Sequence, residues 1–170
     1  CGTEFPSSDR SLTFQGGRIP NPWFYSNLVW DDDLNFDGMS ANYTGSISEG
    51  FSGFITAAGF PLQNVDVSSK SKWLFGAQGG VEYRMDSDVT AKLAVAYYDY
   101  VNTVGVANDP RYPNQNDWTA PLFQQKGNTL FDIDPSSNLK LALASAYQEL
   151  DVHGTVDIAL WRPIHLVLMA

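Results

Sequence analysis

Hydrophobic and polar side chains alternate every second residue over several long stretches of the chain. The clearest stretch is Trp73–Met85, where the odd positions are all apolar or glycine and half of the even positions are polar. Successive side chains of a β-strand point to opposite faces, so this period predicts a strand with one apolar face. A second run, Val89–Val101, follows the polar turn Asp86-Ser87-Asp88. The two runs are therefore predicted to form a long hairpin.

The same alternation predicts further strands on both sides of this hairpin. It begins near Leu12, continues over Met39–Gly45 and, less cleanly, over Phe51–Phe60, and returns over Leu139–Gln148 and Val152–Leu160. A final run starts after a turn at residues 162–163. In total the pattern predicts eight or nine strands.

The connections between the predicted strands differ in length in a regular order. Those at 47–50 and 86–88 are short, that at 61–72 is longer, and 105–138 is a long loop with four prolines. The hairpin arms exceed ten residues, which is long for a soluble strand and suits a tilted membrane strand. Short turns at one end and long loops at the other are typical of outer-membrane barrels. The expected fold is therefore all-β, an antiparallel transmembrane β-barrel.

The two ends of the chain suggest that the barrel is partial. The chain begins at Cys1 and stops at Ala170 within an apolar alternating run. We therefore expect residues 1–170 to be part of a single barrel domain that is truncated at both ends, with 105–138 as its long loop.

Composition narrows the function classes. Charged residues make up 17% of the chain, aromatic residues 14%, and the formal net charge is −9. No basic stripe is visible, so no nucleic-acid partner is expected. Cys1 is the only cysteine, which excludes an internal disulfide. No stretch approaches 18 consecutive apolar residues, so a transmembrane helix is excluded, whereas a membrane strand is not.

Motifs for catalysis and metal binding are weak. The chain has no nucleophile elbow or phosphate-binding loop, and His153 and His165 lack zinc-ligand spacing. The acidic stretch Asp31–Gly38 matches the opening of an EF-hand loop, but Thr44 stands where a bidentate Glu is needed. We therefore predict no catalytic residues, no metal, no cofactor and no enzymatic activity, and interpret the acidic stretch as a turn between strands.

Four segments resemble a family of putative porins from Gram-negative bacteria. They are Gly16–Pro22, Leu28–Gly38, Ala96–Tyr100 and Phe123–Leu130, and together they spread over most of the chain. Family members are longer, so the resemblance implies roughly the N-terminal half of a barrel. It also implies an outer-membrane location, contact with the bilayer and lipopolysaccharide, and passive diffusion of small hydrophilic solutes or ions.

If the strands cross a membrane, their alternation separates two sets of side chains. Charged groups are costly on the lipid face, so the polar set is expected to line the pore. The residues expected to face lipid are Trp73, Phe75, Val81, Val89, Leu93, Leu141 and Leu143. The residues expected to line the pore are Arg18, Gln78, Glu82, Arg84, Lys92, Lys140 and Gln148.

Three alternatives stay open at this point. A secreted soluble β-sandwich, for example a carbohydrate-binding module, would explain the aromatic content but not the long arms. The loop 105–138 either folds into the pore or lies outside it. Porins often trimerise, yet nothing in the sequence identifies an interface between copies.

Overall fold

Ten β-strands form the regular structure in the part of the chain that the computed structural model describes. That part comprises residues 2–7, 10–65, 70–86, 88–123, 127–134, 136, 139–161 and 164–170. The strands are β1 (Gly2–Ser7), β2 (Arg10–Pro20), β3 (Asn35–Ser48), β4 (Phe51–Gln63), β5 (Lys72–Asp86), β6 (Val89–Val101), β7 (Leu130–Asp132), β8 (Leu141–Leu143), β9 (Gln148–Trp161) and β10 (Ile164–Met169). One turn of 3-10 helix spans Asp117–Thr119.

Eight of the strands form one sheet in the order β1-β2-β3-β4-β5-β6-β9-β10, and β7 pairs with β8. Antiparallel pairing joins β1 to β2, β2 to β3, β3 to β4 and β9 to β10. Over the described residues the large sheet does not close on itself, and β1 and β10 are its edges. The prediction of an all-β antiparallel fold, present as a partial barrel, is confirmed.

Strand lengths and connections follow the predicted alternation. β5 and β6 contain 15 and 13 residues and nearly coincide with the predicted hairpin. A two-residue turn at Glu49–Gly50 joins β3 to β4, and Gly50 has a φ of 71°, a conformation that favours glycine. The longer connections, 21–34, 64–71 and 102–147, all follow even-numbered strands. Ser87 and the predicted turn at Arg162-Pro163 lie outside the described residues.

The two faces of the large sheet differ sharply in chemistry. One face, here called the apolar face, exposes large hydrophobic side chains on several neighbouring strands. Among them are Phe14, Met39, Tyr43, Ile55, Phe75, Val81, Leu93, Val95 and Val152, which are 36 to 69% exposed. Single exposed apolar residues are ordinary on soluble proteins, but a contiguous apolar surface marks an interaction with lipid or protein.

The opposite face, here called the polar face, carries mostly hydroxyl, amide and charged side chains. Ser40, Thr56, Gln78 and His153 are buried on it. On β3 and β4 the side chains of Asn42 and Thr56 are joined by a 2.7 Å hydrogen bond. This alternation places Phe75, Val81 and Leu93 on the apolar face, and Trp73 and Val89 occupy the same rows of their strands. That these side chains face lipid stays a prediction. Among the described residues, no helix is long and apolar enough to cross a membrane.

The chain divides into two compact units. The first comprises residues 1–60, 75–98 and 149–170, and the second comprises 61–74 and 99–148. The second unit has its own core, in which Thr119, Ile133 and Ala142 are buried. The described residues of the stretch 105–138 therefore include strand β7 and one turn of 3-10 helix.

The predicted strand Leu139–Gln148 is wrong. Within 139–147 the strand is limited to Leu141–Leu143, which pairs with Leu130–Asp132 in the small sheet, and Gln148 already belongs to β9. Ala144 N–H donates to Thr129 O, and Tyr147 O accepts from Tyr100 N–H. The alternating leucines and alanines form part of the small sheet of this unit. Leu141 and Leu143 therefore do not belong to the apolar face of the large sheet.

Candidate functional site: the polar face and segment 21–34

Segment 21–34, which connects β2 to β3, packs against the polar face of the first unit. It starts with Asn21-Pro22, where the Asn21 side chain accepts a hydrogen bond from Trp23 N–H at 3.0 Å. Farther along, Val29 and Trp30 N–H both donate to Ser26 O, which closes a turn. These local bonds bring Trp23 and Trp30 together on the sheet, where both are buried.

An aromatic cluster fixes the segment to the strands beneath it. Trp23 lies edge-on to Tyr98, with ring centroids 5.3 Å apart, and Trp30 lies edge-on to the same ring at 5.1 Å. Phe36 contacts Trp30 at 5.4 Å and stacks on Phe60 at 4.4 Å. Such edge-on and stacked pairs are the arrangements aromatic quadrupoles favour. Tyr98 is fully buried, because both indoles cover it.

A side-chain amide on β5 binds the backbone of the segment at two points. Gln78 Oε1 accepts from Phe24 N–H at 2.7 Å, and Gln78 Nε2 donates to Phe24 O at 2.6 Å. The amide thus reproduces the two hydrogen bonds that a neighbouring strand would make. Gln78 is 2% exposed, so its buried polar atoms are satisfied by this contact.

The ring of Phe24 also meets two cationic or titratable side chains of the polar face. Lys92 Nζ lies 4.3 Å from the centroid of the Phe24 ring and 4.5 Å from that of Phe54. Both distances are within the range of a cation–π interaction. The centroid of the His153 ring lies 4.5 Å from that of Phe24, and the two rings are tilted by 47°.

A cleft of about 330 Å³ opens beside this contact on the polar face. Phe24, Phe54 and Lys92 form one part of its wall, and Asn42, Thr44, Thr56 and Glu82 supply polar groups. The cleft is therefore a polar depression with an aromatic side, held by residues of five different parts of the chain.

The structure brings together four of the residues that were expected to line a pore. Gln78, Glu82, Arg84 and Lys92 lie on the polar-face rows of β5 and β6. Glu82 and Arg84 form a 3.1 Å ion pair whose arginine side chain is 65% exposed. Gln78, by contrast, is covered by Phe24 and has no open surface of its own.

The other three predicted residues lie elsewhere. Arg18 is opposite Asp37 in the β2–β3 register, in the row that continues the apolar face. Lys140 lies just before β8, where it pairs with Asp117. Gln148 starts β9, and its Nε2 is 3.5 Å from Asp99 Oδ1.

The acidic stretch Asp31–Gly38, which begins at the end of the segment and continues into β3, does not form an EF-hand loop. Asn35, Asp37 and Gly38 belong to β3 and pair with β2, so they are strand residues. Asp33 N–H donates to Asp31 Oδ1 within a local turn. Among the described residues no group of three or more His, Cys, Asp or Glu side chains could hold a metal ion.

Sequence reasoning misses the segment itself. Trp23, Phe24 and Trp30 follow no periodic pattern, and Tyr98 carries no mark that separates it from the other aromatic residues of its strand. One signal could have predicted that the segment packs on the sheet. Two tryptophans, Trp23 and Trp30, lie in a connection between strands that begins after Pro20 and contains Pro22.

One comparison with known proteins decides the family. The model of the family described as "Putative porin" matches residues 3–170. The chain belongs to the putative porin family. No curated protein and no solved structure matches the chain. The porin resemblance drawn from four segments of the sequence is thereby confirmed, and membership indicates a porin-type function in general.

Proposed function

We propose that residues 1–170 form part of the wall of a single outer-membrane barrel domain through which small hydrophilic solutes or ions diffuse passively. The observation that carries this proposal is the difference between the two sheet faces. Large apolar side chains such as Ile55 and Phe75 are 60% and 47% exposed on one face, whereas Thr56 and Gln78 belong to the other. Lipid on the first face and water on the second would satisfy both sets of side chains.

Segment 21–34 is proposed to narrow the aqueous side of this wall. It adds the bulk of Trp23, Phe24 and Trp30 to the face that would otherwise carry only strand side chains. Because Gln78 and the aromatic cluster fix its position, it would act as a constant constriction that limits the size of the solute.

Within the proposed pore, Glu82 and Lys92 line the cleft beside Phe24, and Arg84 is the ion-pair partner of Glu82. Opposed fixed charges in a narrow aqueous path create a local field that selects solutes by charge. The exposed Glu82–Arg84 pair stabilises the fold little. The proposed role of the Glu82–Arg84 pair is to contribute to the electric field that selects solutes by charge.

The same difference between the apolar and the polar face of the large sheet disfavours the β-sandwich alternative. In a sandwich, two sheets bury their apolar faces against each other. Ile55, Leu93 and Val95 would then be buried, yet they are 60, 51 and 46% exposed. A soluble carbohydrate-binding module would leave this surface in water.

Conductance of the full-length protein tests the proposal. The protein would be refolded in detergent and added to a planar lipid bilayer. Stepwise, ohmic current increases are expected for a water-filled pore. A protein that stays folded without detergent and produces no current steps would overturn the proposal and favour the soluble module.

A further inference from the structure

We propose that the cleft beside Phe24 is a subsite for small monocarboxylate anions and that Lys92 supplies its binding charge. The inference rests on the proposed pore function and specifies which solutes the constriction favours. Nothing in family membership assigns a solute or a binding residue.

Two aromatic rings position the ammonium group of Lys92. Nζ lies 4.3 Å from the Phe24 centroid and 4.5 Å from the Phe54 centroid, and these two rings meet edge-on at 6.4 Å. The contacts restrict a side chain that would otherwise sample many rotamers. The rings offer the ammonium no conventional hydrogen-bond acceptor, so its N–H donors can be directed to an anion.

The charge of Lys92 is not matched by a carboxylate. Glu82, the acidic residue of the same cleft, is already paired with Arg84 at 3.1 Å. Among the described residues no Asp or Glu oxygen lies within 4.0 Å of Lys92 Nζ. A fixed ammonium without a carboxylate partner attracts an anion from solution.

The remaining lining determines the class of anion. Pro22, Trp23 and Phe54 provide an apolar wall, and Asn42 and Thr44 provide hydrogen-bonding groups. A volume of about 330 Å³ is at the lower end of the roughly 300–1,000 Å³ typical of ligand sites. One ammonium compensates one negative charge, and the residues that line the cleft include no second cation. The cleft therefore suits a small monoanion with an apolar part, which describes a monocarboxylate, better than a dianion.

Reversal potentials of the full-length protein in planar bilayers test this inference. Under a potassium acetate gradient they give the permeability ratio of acetate to potassium. Lys92→Met is expected to lower that ratio about fivefold, which corresponds to the loss of a partly exposed ion contact of about 1 kcal/mol. Lys92→Arg keeps the charge and is expected to stay close to the wild type. Lys92→Gln provides a second neutral variant in case Lys92→Met does not insert.

Two controls separate the subsite from the overall charge of the protein. Arg111→Met removes one positive charge from an exposed loop residue and should leave the ratio unchanged. Potassium sulfate in place of acetate should show a smaller effect of Lys92→Met. If channels form but their acetate permeability is the same in wild type and in both neutral variants, the proposed anion subsite is wrong and the proposed pore function still stands. A wild-type protein without channels would overturn the proposed function and this inference with it.

Discussion

The side-chain amide of Gln78 holds the backbone of Phe24, 54 positions earlier in the chain, by a donor and an acceptor bond of 2.6 and 2.7 Å. A buried amide with both groups satisfied fixes position and orientation together, since either bond alone would leave the other polar group unpaired. Through this contact β5 sets the distance between the polar face and segment 21–34. The width of the proposed constriction thus depends on one glutamine.

Replacing Gln78 by Leu is expected to widen the pore. The variant leaves Phe24 N–H and C=O without their partners, which destabilises the packed position of the segment by about 1–3 kcal/mol. Single-channel conductance of the full-length protein should rise relative to wild type. Gln148→Leu is the matched control, because Gln148 is exposed and its 3.5 Å contact with Asp99 is weak. Equal conductance in wild type and Gln78→Leu would contradict the role given to the segment.

Two glycines of β5 provide a test of the packing beneath Trp23. A Cβ at Gly76 would lie 2.7 Å from Trp23 Cη2 and 2.9 Å from Tyr98 Cδ1, both on rigid rings. At Gly79 no atom lies within 4 Å. Gly76→Ala is expected to destabilise the protein by about 1–3 kcal/mol through overpacking. Gly79→Ala should stay within about 0.5 kcal/mol of wild type.

Urea unfolding in lipid vesicles, followed by tryptophan fluorescence, measures this difference. The emission of Gly76→Ala should also shift to longer wavelength, because Trp23 leaves its buried site. Identical unfolding curves for the two variants would show that the Trp23 contact with β5 does not hold the segment.

In the second unit, the carboxylate of Asp117 orders the connection between β6 and β9. Hydrogen bonds from Lys140 and then Asn108 lower its pKa. A lowered pKa in the folded state means that this stabilisation is present above the unfolded pKa of about 3.9 and is lost as the pH falls through the folded value. At pH 7 the contribution is fully present, and at about 1 kcal/mol or less it is modest because both side chains are partly exposed.

Asp117→Asn is therefore expected to speed amide hydrogen exchange in residues 105–120 at pH 7. In acid the wild type should approach the variant, since its carboxyl group is then protonated. Asp109→Asn is the control: its pKa is also lowered, but by Arg111 two residues away, so its effect should stay local. A variant that exchanges like the wild type at pH 7 would rule out the ordering role of Asp117.

The strands of the large sheet could be predicted from the sequence because the alternation of side chains that marks a strand lies within the strand itself. In Val89–Val101 apolar side chains occupy every second position from 89 to 97, and the structure has a strand at Val89–Val101. The same argument failed at Leu139–Gln148. There the alternation of leucine and alanine suits a membrane strand and a small packed sheet equally, and only the partner strand β7 decides between them.

The position of segment 21–34 could not be derived from the sequence for a different reason. Trp23 and Phe24 take their positions from Gln78 and Tyr98, which lie far away along the chain and carry no pattern that links them. Their polar-face neighbours Glu82 and Lys92 were predicted from strand period alone. The predicted pore residue Arg18 continues the apolar face, because the register of β2 with β3 is set by strand pairing rather than by charge.

Cysteine modification in bilayers tests the central claim, that the polar face lines a water-filled path, most directly. The experiment uses a cysteine-free background of the full-length protein, in which Cys1 is replaced by Ser. Asn42→Cys and Glu82→Cys place a thiol on the polar face, and their neighbours Ala41→Cys and Val81→Cys place one on the apolar face. A charged, water-soluble thiosulfonate added during recording should reduce the current through the first two variants and leave the last two unchanged. Equal current loss on both faces, or loss only at positions 41 and 81, would contradict the account.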